Sequence, residues 1–273
     1  MYYNKSLLEG IDLNSIEDII EKCETEDYKF LYNLGNFYYS SGFFFGTGCE
    51  SEWIYNSLTQ EYTLAKDTFN SNSGKIALDG IYKIIKSSCF VNTANEKYCD
   101  KPGVIISGCA YDSSIKSKLG ENYAVCKLPS FVGSDGNKYQ ISPYMNGKVL
   151  CIKPQNDKEK ENVLNDIANY LSDEECQYER YLATCTMYGH GFVPSNLNST
   201  KYEKIKDVEC ISALVNQDDY GIPLYKIHPC WYDLGAEVFK KLEKSDGTDA
   251  SYQSILTYYS DELSNFPTGV FAI

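Results

Sequence analysis

The chain has 273 residues, enough for one large domain or two lobes with a real hydrophobic core. Lys and Arg total 25 against 38 Asp and Glu, a net charge of −13, which repels phosphate backbones and argues against nucleic acid or anionic lipid as a partner. No run of about 18 apolar residues exists for a transmembrane helix, and the eleven cysteines include no CxxC pair, which argues against a zinc ribbon or a redox dithiol motif. The scattered thiols read as free, mostly buried small hydrophobes of a reducing or anaerobic habitat. The 25 tyrosines offer faces and hydroxyls suited to neutral polyhydroxy ligands, or else reflect an AT-rich coding sequence.

The opening "MYYNKSLLEG" lacks the basic start, apolar stretch and cleavage site of a signal peptide. The chain is therefore expected to be cytoplasmic or a part of a longer protein. "NSIEDIIEKC" places Asn14 as N-cap with Glu17 three residues on, and Ile16, Ile19 and Ile20 on one helical face. "SSGFFFGTG" is glycine-bounded and aromatic, and reads as a loop after a buried element. "SNSGKIALDGIYKIIKSS" predicts a helix with Ile76, Ile81, Ile84 and Ile85 inward. "GVIISG" predicts a strand ending at Gly108. "NYAVCKLPSF" predicts a strand broken at Pro129, and "SDGNKY" an Asp-Gly hairpin turn. "GKVLCIKP" predicts a further strand.

In "DKEKENVLNDIANYLSDEECQYERYLATC", Val163, Leu164, Ile167, Tyr170 and Leu171 line one helical side, and Ser172 with Glu175 restarts the helix. "VECISALVNQ", "WYDLGAEVFKKLEK" and "SYQSILTYYSDELSNF" read as helices, the last with Ile255, Leu256, Tyr259 and Leu263 inward. Strands mixed with longer helices make the class α/β.

Signals for catalysis are poor. His190 and His228 are the only histidines, and there is no serine elbow, HExxH or glycine-rich phosphate loop. Asp173, Glu174 and Glu175 read as helix-start charges meeting the dipole. The aromatic residues are more suggestive. Tyr38, Tyr39, Tyr111, Tyr144, Tyr188, Trp231 and Tyr232 each lie at the end of a predicted strand or the start of a helix, where α/β ligand clefts form. Each one alone is also compatible with ordinary packing.

The order of segments resembles the later part of the extracellular solute-binding proteins of carbohydrate ABC transporters, the maltose-binding protein family. The resemblance runs through "MYYNKSLLEGIDLNSIEDIIEKC", "FLYNLGNFYYSSGFFF", "NSNSGKIALDGIYKIIK", "GVIISGCAYDSSIKSKLGENYAVCKLPSF", "GKVLCIKPQNDKEKENVLNDIANYLSDEECQYERY" and "HPCWYDLGAEVF". It implies a type II periplasmic-binding-protein-like α/β fold, with one nearly complete lobe and a strand-helix part of the other. Residues 6–140 and 190–273 would form the C-terminal lobe, and 141–189 would belong to an N-terminal lobe whose first segment is missing. It implies a non-enzymatic protein without cofactor or metal that binds an oligosaccharide and hands it to permease subunits. The complete protein would be a Firmicutes-type lipoprotein on the extracellular face of the membrane. A surface adhesin or interaction module built on the same lobe is the alternative.

By position, Trp231 matches the family's main stacking tryptophan, with Tyr232 beside it, and Tyr38 matches an aromatic sugar contact. Asn36 stands where a carboxylate binds hydroxyls. Ala110 or Tyr111 falls at a strand-end tryptophan, and Tyr188 and His190 lie in a cleft-lining return loop. The segment "SPYMNGKVLCI" departs from the glycine pair that many members carry there. The predicted apolar side of the 158–172 helix should be left exposed or find a partner.

Overall fold

The computed structural model describes residues 1–145, 150–188, 191–223 and 227–266. The chain begins with β1 (Tyr2–Asn4), α1 (Ile16–Thr25), β2 (Lys29–Tyr32), α2 (Phe37–Gly46), β3 (Ser51–Asn56), β4 (Glu61–Asp67) and α3 (Asn72–Ile85). It continues with β5 (Phe90–Val91), β6 (Pro102–Ile106), α4 (Asp112–Leu119), β7 (Tyr123–Val125), β8 (Ser130–Val132), β9 (Lys138–Gln140) and β10 (Tyr144–Met145). It ends with α5 (Lys158–Ser172), α6 (Glu174–Tyr188), α7 (Glu209–Asp218), β11 (Ile222–Pro223), α8 (Trp231–Glu243) and α9 (Asp249–Ser264). No helix among the described residues is long and apolar enough to cross a membrane.

The main sheet has the order β5-β2-β6-β1-β7. β5, β2 and β6 pair in parallel, whereas β1 runs antiparallel to both β6 and β7. Both faces are covered, so its strands are apolar on both sides. Phe30, Tyr32, Val104 and Ile106 face the larger core, formed with α1, α2, α3, α8 and α9. Leu31 and Ile105, which pair in register, face the opposite way with Tyr2, toward Ile115 and Leu119 of α4 and Cys210 of α7. This is the period-2 alternation of a pleated strand.

The larger core is aromatic. Trp231 is fully buried at the start of α8 and stacks on Phe37 with centroids 3.9 Å apart. Its Nε1 donates to Tyr259 Oη at 3.2 Å, and that hydroxyl donates to Asp67 Oδ2 at 2.6 Å. Phe69 stacks on Phe44 and on Tyr259. Close approach of α8 to α2 needs Gly235, where a Cβ would collide with the Phe37 ring.

Several expected elements are corrected. The "SSGFFFG" segment is not a loop but most of α2, with Ser41 and Phe43 to Phe45 buried. The helix is apolar all round and buried, so it has no polar face to give a helical period. α1 is capped by Ser15, whose side chain accepts from Asp18 N, and not by Asn14. Asn14 instead accepts from Lys127 Nζ, and Glu17 accepts from Val132 N. α6 restarts on Asp173, which accepts from Cys176 N, while Ser172 Oγ turns back to Ala168 O.

In the expected "GKVLCIKP" strand, 147–149 lie outside the described residues, and Leu150 to Pro154 form no strand. Strand geometry requires a neighbouring edge to satisfy its backbone groups, and that stretch has none among the described residues. The β3–β4 hairpin was not anticipated. The Asp-Gly turn does join β8 to β9, with Gly136 at φ +80°.

Candidate functional site

The parallel strands β2, β6 and β7 all end on the same edge of the sheet, and the antiparallel β1 begins there. Ligand crevices in open α/β sheets form at this edge, because the loops that follow the strands diverge and leave a hollow. Here the hollow is a cavity of about 140 Å³ bordered by Tyr32, Tyr38, Tyr39, Tyr144, Gly108 and Gln217. It meets a wider groove of about 670 Å³ through shared residues Met145 and Leu214. That groove carries Gln177, Arg180, Phe192 and Ser195.

Tyr38 is placed by the first turn of α2. Asn36 caps this helix by accepting from Tyr38 N at 2.9 Å. The Tyr38 ring meets the Tyr39 ring edge-on at 5.3 Å, and its hydroxyl donates to Tyr144 O at 3.3 Å. Tyr38 also borders a second, shallow hollow with Asn33, Asn36, Tyr232 and Asp233. It therefore stands on a ridge between two concavities. Burial pushes the Tyr38 and Tyr232 hydroxyls above their ordinary pKa, so both are neutral donors at physiological pH.

The far wall comes from α7. Gln217 accepts from Leu128 N at 2.8 Å and donates to Ile141 O at 3.1 Å. One buried amide thus ties α7 to the segment after β7 and to the segment before β10. Tyr144 is buried, with its hydroxyl unpartnered among the described residues. A polar group left in that state costs about 1–3 kcal/mol, and this hydroxyl is sealed from solvent in this structure.

The expected site residues divide. Tyr38, Asn36 and Tyr232 meet at the shallow hollow, and Tyr38 and Tyr144 meet at the cavity. Trp231 does not join them as a platform. It is 0% exposed, with one face on Phe37, so no sugar ring reaches it in this structure. An indole at the first position of an amphipathic helix has no sequence mark of depth, and the pull of the apolar core decides. Asn36 uses one lone pair of its carbonyl oxygen on the helix cap, which leaves its amide nitrogen and a second lone pair for a ligand.

Tyr111 is exposed on the turn after β6 and borders neither hollow. Tyr188 is exposed at the end of α6, beside Phe192. His190 lies outside the described residues. Tyr39, named beside Tyr38 among the aromatic positions, borders the cavity, whereas sequence reasoning missed Leu214 and Gln217. The available signal was the spacing of Cys210, Ala213, Leu214 and Gln217, one helical stripe of "VECISALVNQ". Among the described residues no cluster of three or more His, Cys, Asp or Glu is placed to hold a metal ion.

The mixed sheet flanked by helices is an α/β architecture of the periplasmic-binding-protein-like kind, as the solved structures that share it show. Among solved structures, the chain is similar to the maltodextrin-binding protein MalE1 of L. casei BL23 without ligand, at TM-score 0.71 and 18% identity, covering 97% of this chain and 68% of that one. It is also similar to the maltose-binding periplasmic protein MalE of Listeria monocytogenes in complex with maltose, at TM-score 0.67 and 17% identity, covering 98% and 71%. The maltose-maltodextrin binding protein of Alicyclobacillus acidocaldarius matches at TM-score 0.63 and 15% identity, covering 97% and 68%. No protein-family model and no curated protein matches the sequence.

Proposed function

We propose that the chain is a carbohydrate-binding protein, not an enzyme, and that it serves as part of the solute-binding component of an ABC transporter. The carrying observation is the aromatic cavity at the sheet edge, with Tyr38 on its rim, in a fold shared with proteins named for binding maltose and maltodextrin. Sugar rings present C–H faces that pack on aromatic rings, and their hydroxyls pair with neutral donors and acceptors. Tyr38, Tyr39 and Tyr232 supply the first, and the Asn36 amide and Tyr232 hydroxyl the second.

The cavity's volume is well below the few hundred Å³ that enclose a small ligand. An oligosaccharide would therefore lie along the joined cavity and groove, with a second lobe closing over it. The α5–α6 pair supports that arrangement. Val163, Ile167, Tyr170 and Leu171 on α5 are exposed, and the helix buries no residue. In this reading the α5–α6 pair packs into the second lobe; the expected boundary at 141 moves, because Ile141 and Tyr144 are buried in the core of the lobe that carries the sheet. The closed, loaded form would dock on permease subunits at the extracellular face, held there as a lipoprotein.

Calorimetric titration with maltodextrins, xylo-oligosaccharides and manno-oligosaccharides tests the reading. At least one series is expected to bind. Tyr38→Ala and Tyr232→Ala should each weaken it roughly fivefold, the equivalent of about 1 kcal/mol of aromatic contact. Silence across all three series, with the protein folded by circular dichroism, overturns it.

A further inference from the structure

Arg180 is the single arginine of the chain, and apart from the two histidines every other basic side chain is a lysine. It borders the wider groove that opens from the cavity. Its helical neighbours, three and four positions either way, are Cys176, Gln177, Ala183 and Thr184, and none is acidic. Among the described residues Arg180 makes no ion pair, although the chain carries 38 acidic side chains. A guanidinium kept clear of carboxylates in so acidic a protein has its charge free for a ligand.

Its surroundings are held on both sides. Gln177 is buried and accepts from Ser195 N at 2.7 Å and from Asn196 N at 3.1 Å. Thr184 is buried and accepts from Phe192 N at 3.1 Å. These bonds fix the 192–196 segment along α6 and set the Phe192 ring beside the guanidinium, whose carbon lies 5.3 Å from the ring centroid. Contact with an aromatic ring uses the face of a guanidinium and leaves its N–H fork open. Asp218 of α7 borders the same groove, and its carboxylate can accept from sugar hydroxyls.

We propose that the groove selects acidic sugars, with Arg180 pairing with the carboxylate of a uronic acid residue while Asp218 accepts from ring hydroxyls. This rests on the sugar-binding reading and narrows its substrate class to uronate-containing oligosaccharides. A carboxylate is planar and meets the guanidinium through two parallel N–H···O bonds, a match that a lysine ammonium cannot make. One cation balances the single charge of a carboxylate, whereas a phosphate ester carries close to two and would leave charge uncompensated beside Asp218.

Calorimetry on the full chain near neutral pH compares matched pairs: xylotriose with its glucuronic-acid-substituted form, and mannotriose with trimannuronate, each at low and high sodium chloride. At least one uronate is expected to bind about tenfold more tightly than its neutral partner at low salt, and the preference should shrink at high salt. Arg180→Gln should bring the ratio of the two affinities close to one, and Arg180→Lys should keep only part of it. Arg180 is exposed, so both variants should retain the circular dichroism of the unmutated chain. Equal affinity within both pairs, or a uronate preference that survives Arg180→Gln, overturns this assignment and leaves neutral sugar binding standing. Silence from all four sugars overturns it as well, and neutral maltodextrin binding in the same sample then shows that the sugar-binding reading survives it.

Discussion

α8 and α5 are both amphipathic helices of similar length, yet α8 buries Trp231, Leu234, Gly235, Val238, Phe239 and Leu242, whereas α5 buries nothing. α8 lies between α2 and α9, and its stripe meets a ready-made aromatic surface. α5 touches chiefly α6, which is anchored through Tyr181, packed near Ile205 and Ile211. Further ties run from Gln177 to Ser195 N and from Thr184 to Phe192 N. An apolar stripe therefore states which face seeks cover. It does not state that the cover lies within the same stretch of chain.

The contrast can be broken most forcefully at its buried end. Trp231→Ala removes the stack on Phe37 and the bond to Tyr259, and should cost about 3–5 kcal/mol in chemical denaturation. A loss below about 1 kcal/mol would mean that the indole is not the keystone of this core.

The hydrogen-bonded end of the same network gives a subtler test. Burial raises the Asp67 pKa above its ordinary value, although the bond from Tyr259 opposes the shift. A folded pKa above the unfolded one means that the native state binds the proton more tightly. Acidification should therefore stabilise the protein through this group, beginning as pH falls through the raised pKa and complete below the unfolded value near 3.8. Asp67→Asn removes that dependence. The melting temperature of the variant minus that of the unmutated chain should be larger at pH 7 than at pH 4. A difference that is flat or grows toward acid refutes the assignment.

The smallest effect belongs to the uncovered helix. Val163→Lys and Ile167→Lys should each change the chain's stability by no more than about 0.5 kcal/mol, since both side chains already face water. A loss of several kcal/mol in either would show that the face is covered in solution.

The same logic explains what the residues disclosed. α3 and α9 were legible because their inward isoleucines, leucines and tyrosines recur at helical spacing opposite polar faces. α2 was not, because Phe43, Phe44 and Phe45 are apolar in succession and all three are buried, leaving no helical period to read. The first cap shifted from Asn14 to Ser15 because both residues offer an oxygen, and only the backbone geometry selects between them. Tyr38 and Tyr232 became candidates from their positions at helix starts and Asn36 from the family resemblance, and the three border one hollow. Trp231 shares that position but not their exposure, and depth depends on which elements pack around it. Gln217 escaped notice because an isolated glutamine shows its importance only when two backbone partners from distant segments converge on it.

That convergence has a mechanical consequence. The Gln217 side chain pins α7 to two separate segments at once, so a shift of α7 strains its bonds to Leu128 and Ile141 together. Small independent adjustments are thereby suppressed. A displacement imposed on α7 would be felt in the segments that carry Leu128 and Ile141.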